Sequence, residues 1–345
     1  MNQGEAIKIF TDNKEVIGSY VNGNHRTTLY ADGTKVKETG YYIDAAGPDG
    51  RRVSRWVDTE TDCFTYDFPE NMDLKITDRC DGGCRYCHEN STPAGKHADL
   101  HALEPVIRTL VPGTEIAIGG GNIFEHPDLE WFLRLLKDQG IVTNITVNQK
   151  HLKKNRDLLH GLVLERLVNG IGVSLTDSSD TDDIEILDML GKNVVIHVIA
   201  GIFEEKDIPF IRNRKVLVLG YKDLRRGHDL LKKETAKING NIEWLRKVLP
   251  LLVFECDTIS FDDLGIGQIR PQDIIGLTDG TWKTLYQGSD TQVKDDMYNI
   301  TCATMFVDAV NMKVCRMSTA PLDMRFGFDG TENIRDLFKL SVKGW

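Results

Sequence analysis

Residues 73–88 read Asp73-Leu74-Lys75-Ile76-Thr77-Asp78-Arg79-Cys80-Asp81-Gly82-Gly83-Cys84-Arg85-Tyr86-Cys87-His88. An apolar, strand-forming run leads into a glycine-containing loop, and three cysteines fall on it at C-x3-C-x2-C. Thiolates are soft ligands, suited to zinc and to iron–sulfur clusters. Three of them on one short loop can wrap one side of a four-iron cluster and leave the fourth iron open to another ligand. The competing reading is a closed tetrahedral zinc site made by Cys80, Cys84, Cys87 and His88. His88 directly follows Cys87, however, and no second C-x2-C pair is present. Packing of three unrelated thiols is the remaining reading; their crowding into residues 80–87 argues against it.

Outward from this loop the texture is regular. Short apolar runs at 72–76, 115–118, 145–147, 172–175, 194–199 and 216–219 alternate with amphipathic stretches at 129–137, 150–162 and 182–190. Strands alternating with helices at this spacing imply βαβ units and a parallel sheet. Ligands then sit beyond the C-terminal ends of the strands, whether the sheet is open or curled. Upstream, residues 16–21 and 26–30 are strand-like and flank Asn22-Gly23-Asn24, so residues 1–70 read as a small β-rich accessory region of hairpins. Downstream, a helix is expected over 234–251, interrupted at Asn239-Gly240-Asn241. A strand is expected at 258–261, and a hairpin from 305–307 and 313–317 about Asn311.

Composition bounds the function. The 345 residues are 41% hydrophobic and 27% charged, enough for a sizeable core in one large domain or two. A net charge of −10 argues against broad binding to duplex DNA. No apolar run of spanning length occurs, so no membrane role is expected. Residues 1–6 lack the basic and apolar regions of a secretory signal, and seven cysteines fit a reducing compartment. A cytoplasmic location is the expectation.

C-x3-C-x2-C after a first strand, with an aromatic residue before the last cysteine, resembles the radical SAM superfamily. The resemblance implies an α/β fold: a partial (β/α)6 TIM-like barrel with residues 71–225 as core, residues 1–70 as appendage and residues 226–345 completing the barrel and capping it. It implies that Cys80, Cys84 and Cys87 hold a [4Fe–4S] cluster whose fourth iron is chelated by S-adenosylmethionine. Reductive cleavage of that cofactor would yield a 5′-deoxyadenosyl radical for hydrogen abstraction. Tyr86 would then lie near the adenine. Gly119, Gly120 and Gly121 match the family's glycine turn, where the backbone could approach a ligand closely, with Asn122 where a glutamate is common. Asn148 and Ser174, at strand ends, would meet the ribose. Ile199, Gly201 and Glu204 match a loose Gly-x-Ile-x-Gly-x-x-Glu pattern, with His197 in place of its first glycine. Gly220 would touch the adenine through its backbone.

Cys256, Cys302 and Cys315 are candidates for a hydrogen-donating thiol or for an auxiliary cluster, although their spacing forms no compact motif and buried packing competes; Cys63 is read in the same way. Asp262, Asp263 and Gln268 follow an expected strand end and could face a substrate. The substrate expected is a peptide or small metabolite, with an external flavodoxin- or ferredoxin-like electron donor. Two other functions stay open: a zinc-stabilised binding module, and an iron–sulfur protein using S-adenosylmethionine for nonradical or electron-transfer chemistry.

Overall fold

The computed structural model describes residues 8, 11–39, 43–47, 52–55, 64–180, 182–274, 276 and 303–343. Cys63 and Cys302 lie outside the described residues. The first sheet is an antiparallel meander of β1 (Val16–Asn22), β2 (His25–Tyr30), β3 (Lys35–Glu38), β4 (Ile43–Ala46) and β5 (Arg52–Arg55), in that order. The β1–β2 turn needs its glycine on two counts. Gly23 has φ +59°, and a Cβ there would fall 2.0 Å from the Thr65 carbonyl oxygen.

The second sheet holds β6 (Asn71–Thr77), β7 (Glu115–Gly120), β8 (Val142–Asn148), β9 (Gly170–Ser174), β10 (Val194–Ile199), β11 (Lys215–Leu219), β12 (Thr258–Phe261), β13 (Thr304–Asp308), β14 (Lys313–Cys315) and β15 (Phe326–Gly327). Their spatial order is β12-β11-β10-β9-β8-β7-β6-β13-β14-β15. Strands β6 to β13 are mutually parallel, and β14 and β15 continue antiparallel. The main helices are α1 (Leu100–Ile107), α2 (Leu129–Asp138), α3 (Arg156–Leu164), α4 (Asp182–Leu190), α5 (Arg226–Glu255), α6 (Asp263–Ile269) and α7 (Ile334–Ser341).

Strand alternation decides which face is covered. Leu74 and Ile76 of β6, Ile116 and Ile118 of β7, and Ile196 and Val198 of β10 share one core with Leu103, Phe132, Leu159 and Leu187 of the helices. Their neighbours along the strands, Asp73, Lys75 and His197, are outside that core and belong to the opposite face. A parallel sheet covered by helices on one side shelters its other face by curling. The architecture is therefore an α/β partial barrel. Six βα strands, β6 to β11, form its centre as expected, and β12 to β15 extend it at both edges.

The meander is joined to the barrel rather than hung from it. Phe64, Tyr66 and Phe68 enter the barrel core. Glu70, at the junction, accepts from Lys37 Nζ at 2.8 Å and faces His25 Nε2 at 3.3 Å, while its backbone N–H donates to the Ala303 carbonyl.

Two helix expectations need correction. Over 150–162, short 3-10 turns at Gln149–His151 and Lys153–Asn155 precede α3. Side chains compete with the helix there: the Asn148 carboxamide accepts from Lys150 N, and the Gln149 carboxamide accepts from the backbone of Thr176 and Asp177. Conversely, α5 runs straight through Asn239-Gly240-Asn241, and its irregular residue is Glu234 (φ −127°, ψ 30°). An exposed helical glycine costs about 1 kcal/mol. Burial of Ile238, Leu245 and Leu249 on the same helix outweighs that. Among the described residues, no helix is long and apolar enough to cross a membrane.

Candidate functional site

Strand β6 ends at Thr77 and hands the chain to the cysteine loop at the C-terminal edge of the parallel sheet. Backbone hydrogen bonds fold that loop back on itself: Asp78 N to Lys96 O, Cys80 N to Thr92 O, and Cys87 N to Cys84 O. Gly82 N donates to Cys80 Sγ at 3.3 Å, and Gly83 turns the chain at φ +60°. A Cβ on Gly82 would stand 3.3 Å from Cys80 Sγ and 4.0 Å from Cys84 Sγ. The thiols of Cys80, Cys84 and Cys87 are free and half-buried. Burial, aided by the neighbouring thiols, raises the first two above an ordinary thiol's pKa, so a metal must displace their protons.

Ligands around one tetrahedral zinc ion lie roughly 4 Å apart. Among the described residues, the one set of three donors within 4.8 Å of one another is Cys80, Asp81 and His151. As placed, the three cysteines do not form such a set. His88, the fourth ligand of the zinc reading, is used elsewhere: its Nε2 meets Lys222 Nζ at 3.2 Å, and burial together with Lys222 pushes its pKa down to about 3.

The glycine turn after β7 serves the loop. Gly120 has φ +116°, and a Cβ on it would lie 2.4 Å from the Thr77 carbonyl oxygen. One on Gly121 would lie 2.2 Å from the Arg79 carbonyl oxygen. Gly121 N and Asn122 N donate to those two carbonyls at 2.7 Å each. The close approach expected of a ligand is thus made by the chain leading into Cys80. Gly119 keeps open space around it, with Thr146 Cβ the nearest atom at 3.9 Å. Asn122 is buried, and its carboxamide accepts from Phe124 N and donates to Glu125.

Asn148, Ser174 and His197 stand in one row across β8, β9 and β10. Asn148 is not free for a ribose: its Nδ2 donates to Cys84 Sγ at 3.4 Å and its Oδ1 accepts from Lys150 N at 3.0 Å. Ser174 holds its expected strand-end place. The His197 ring lies over Gly172, where a Cβ would come within 2.3 Å of it, and burial pushes its pKa down to about 4.

Beside the loop lies a cavity of about 310 Å³, lined by Tyr86, Leu175, Thr176, Ile199, Gly201 and Ile238 among others. Tyr86 and Ile199 pack in one apolar cluster with Tyr221 and Leu230. Gly201, at φ +85°, accepts from Asn241 Nδ2 of α5. Glu204 pairs with Lys206 and Lys237, whose hydrogen bonds pull its pKa down to about 2. Gly220 is buried away from this cavity. Its N–H donates to Asp262 Oδ1, and α6 packs where a side chain would go, which makes it a packing glycine. Asp262 and Gln268 are likewise spent internally, on Gly220, Gly265 and both backbone groups of Tyr221.

Among the described residues, the later cysteines Cys256 and Cys315 lie apart from the loop and from each other. Cys256 caps the C-terminus of α5 just before β12 begins, so it lies at the N-terminal edge of the parallel strands, opposite the loop. That placement removes it as a hydrogen donor or auxiliary ligand. Cys315 is buried with Phe306 and Ala320, donates to Met317 O at 3.3 Å, and has its pKa pushed up to about 11 by burial.

Sequence reasoning missed Lys75, Lys150 and His151. Lys75 Nζ, buried on the inner face, meets Asp78 at 2.7 Å, Glu89 at 2.8 Å and Asp308 at 3.2 Å. A lysine in the middle of an apolar strand was the available signal. Lys150 Nζ donates to Gly82 O at 2.8 Å, and His151 Nε2 lies 3.9 Å from Cys80 Sγ. Both were hidden by the mistaken helix over 150–162.

Residues 74–223 match the family model of the Radical SAM superfamily. No curated protein matches the chain. Solved structures of Streptococcus suis SuiB share the fold. The one bound to precursor peptide SuiA gives a TM-score of 0.54 at 14% identity, covering 81% of this chain and 66% of that one. The one bound to S-adenosylmethionine gives 0.50 at 14% identity, covering 81% and 65%. The chain spans about two thirds of their length, and at this identity the likeness is one of fold.

Proposed function

From the match of residues 74–223 to the Radical SAM family model, we propose that this chain is a radical SAM enzyme that modifies a peptide. When bound, the [4Fe–4S] cluster and S-adenosylmethionine supply a 5′-deoxyadenosyl radical by one-electron cleavage of the sulfonium. The chain's own residues hold and orient. Cys80, Cys84 and Cys87 would hold the cluster, beside the cavity that Cys84 and Tyr86 line. Tyr86 and Ile199 offer apolar surface to the adenine, Gly201 lets Ile238 of α5 pack close beside them, and Ser174 offers a hydroxyl to the ribose. Residues 71–225 carry this chemistry, and the described strands β12 to β15 extend the barrel beyond them. An external flavodoxin- or ferredoxin-like protein supplies the electron.

The observation that carries the reading is the set of three free thiols on one loop at the C-terminal edge of the sheet. For the substrate, the support is the sheltered second face of a large curled sheet and the peptide bound by the SuiB structure of the same fold. A second reading rests on Cys80, Asp81 and His151, which are compact enough for a single metal ion.

Anaerobic reconstitution with iron and sulfide, followed by dithionite and S-adenosylmethionine, tests the first step. The expected result is iron near four per chain for a filled cubane and 5′-deoxyadenosine above a Cys80→Ala control. Zinc at about one per chain without iron, or no nucleoside above that control, overturns it. Mass spectrometry of a peptide encoded beside this gene, incubated with the loaded enzyme, tests the substrate class.

A further inference from the structure

We infer that Asn148 positions Cys84 and sets the reduction potential of the centre that Cys84 holds, rather than contacting a nucleoside. The inference rests on the radical SAM reading above. Asn148 is the last residue of β8. Both of its polar atoms are engaged, Nδ2 on Cys84 Sγ at 3.4 Å and Oδ1 on Lys150 N at 3.0 Å. The same turn sends two more side chains to the loop. Lys150 Nζ binds Gly82 O at 2.8 Å, and its charge acts on the Cys84 thiol. His151 Nε2 faces Cys80 Sγ at 3.9 Å. One turn thus reaches two of the three cysteines and the glycine between them.

The turn is held from behind. Gln149 Oε1 accepts from Thr176 N and Asp177 N at 2.9 Å each, and its Nε2 donates to Asp183 at 2.7 Å. Gln149 and His151 are buried. The donors are therefore fixed before any metal binds.

A thiolate bound to iron carries more negative charge in the reduced cluster than in the oxidised one. An N–H donor to its sulfur stabilises the reduced form and raises the potential. Asn148→Asp is the discriminating change. It keeps the oxygen that caps Lys150 N, and replaces the donor facing Cys84 with a carboxylate oxygen. A carboxylate there opposes the added electron.

The experiment is an EPR-monitored redox titration of the full chain, reconstituted anaerobically with iron and sulfide, beside an iron assay and circular dichroism. At a fixed solution potential, the ratio of reduced to oxidised cluster in N148D should fall about tenfold, equivalent to about 59 mV for a one-electron couple. A folded N148D that binds less iron than wild type also supports the assignment, since the donor is then needed to hold Cys84. A fully loaded N148D that titrates with wild type overturns it. If N148D does not fold, Asn148→Ala removes the donor facing Cys84 without adding charge, and a folded, fully loaded Asn148→Ala that titrates with wild type overturns the inference equally. A wild-type chain that takes up no iron sinks the radical SAM reading together with this one, a result distinct from a loaded wild type that N148D merely matches.

Discussion

Gly121 and the Arg79 carbonyl oxygen leave no room for a side chain between them: a Cβ on Gly121 would lie 2.2 Å from that oxygen. Backbone on both sides means that neither partner can swing away. Gly121→Ala must therefore displace the limb that carries Cys80. Iron bound per chain after reconstitution should fall at least about tenfold at limiting iron, the scale on which supporting contacts affect metal sites. Gly119→Ala, whose new atom would meet nothing closer than 3.9 Å, should load as wild type does.

The cysteines should divide into two classes. Alanine at Cys80, Cys84 or Cys87 should weaken iron binding by more than about tenfold and remove the brown charge-transfer absorption. Alanine at Cys256, on the far edge of the strands, should leave iron content and 5′-deoxyadenosine formation unchanged. Iron assay and nucleoside chromatography on the four variants check this, and a Cys256→Ala protein lacking iron would contradict the assignment.

Glu70 makes the fold acid-sensitive. Burial by itself would raise its pKa, but the hydrogen bond from His25 and the charges of Lys37 and Lys35 outweigh burial and hold it at about 2. The folded value lies below that of an unfolded glutamate, roughly 4.3. Its stabilisation is therefore complete above that pH and is lost as pH falls toward 2. Urea unfolding followed from pH 6 downward should show the loss. Glu70→Gln should flatten that limb and cost about 3 kcal/mol at neutral pH by leaving Lys37 buried without its carboxylate.

Helix α5 offers a change in the other direction. Nothing lies within 4 Å of a Cβ placed on Gly240, and its backbone is helical. Gly240→Ala should raise stability by about 0.5–1 kcal/mol, read as a higher Tm by calorimetry.

Asp262 should behave as a structural acceptor. Its Oδ1 takes the N–H groups of Gly220 at 2.8 Å and Gly265 at 2.6 Å. Asp262→Ala strands both donors and should cost about 2 kcal/mol. Asp262→Asn, which keeps an oxygen there, should cost less than half of that. Denaturant midpoints of the two variants give the comparison.

The contrast between what could and could not be read in advance has a physical origin. Strands β6 to β11 were legible because alternation of apolar residues is a local property. The three cysteines were legible because ligand chemistry is written in residue type and short spacing. Gly120 and Gly121 were recognised as positions of close approach, but what approaches them is the chain at Thr77 and Arg79, a relation set by strand pairing rather than by neighbours in sequence. Asn148 misled for the same reason. A carboxamide at a strand end suits a ribose, a cap or a thiol equally well, and only the packing of β8 beside the loop selects the thiol. Gly240 misled because glycine's helical penalty is small beside the burial of Ile238 and Leu245 around it.

The pairing of β13 with β6 orders events during synthesis. Lys75 and Asp308, bonded across those two strands, are 233 positions apart. While the ribosome is still translating the intervening residues, the strand that feeds the cysteine loop has a partner on one side only. Contacts of such long separation form late. The edge of the sheet beside the cysteine loop is therefore completed only after the chain has been made as far as Asp308.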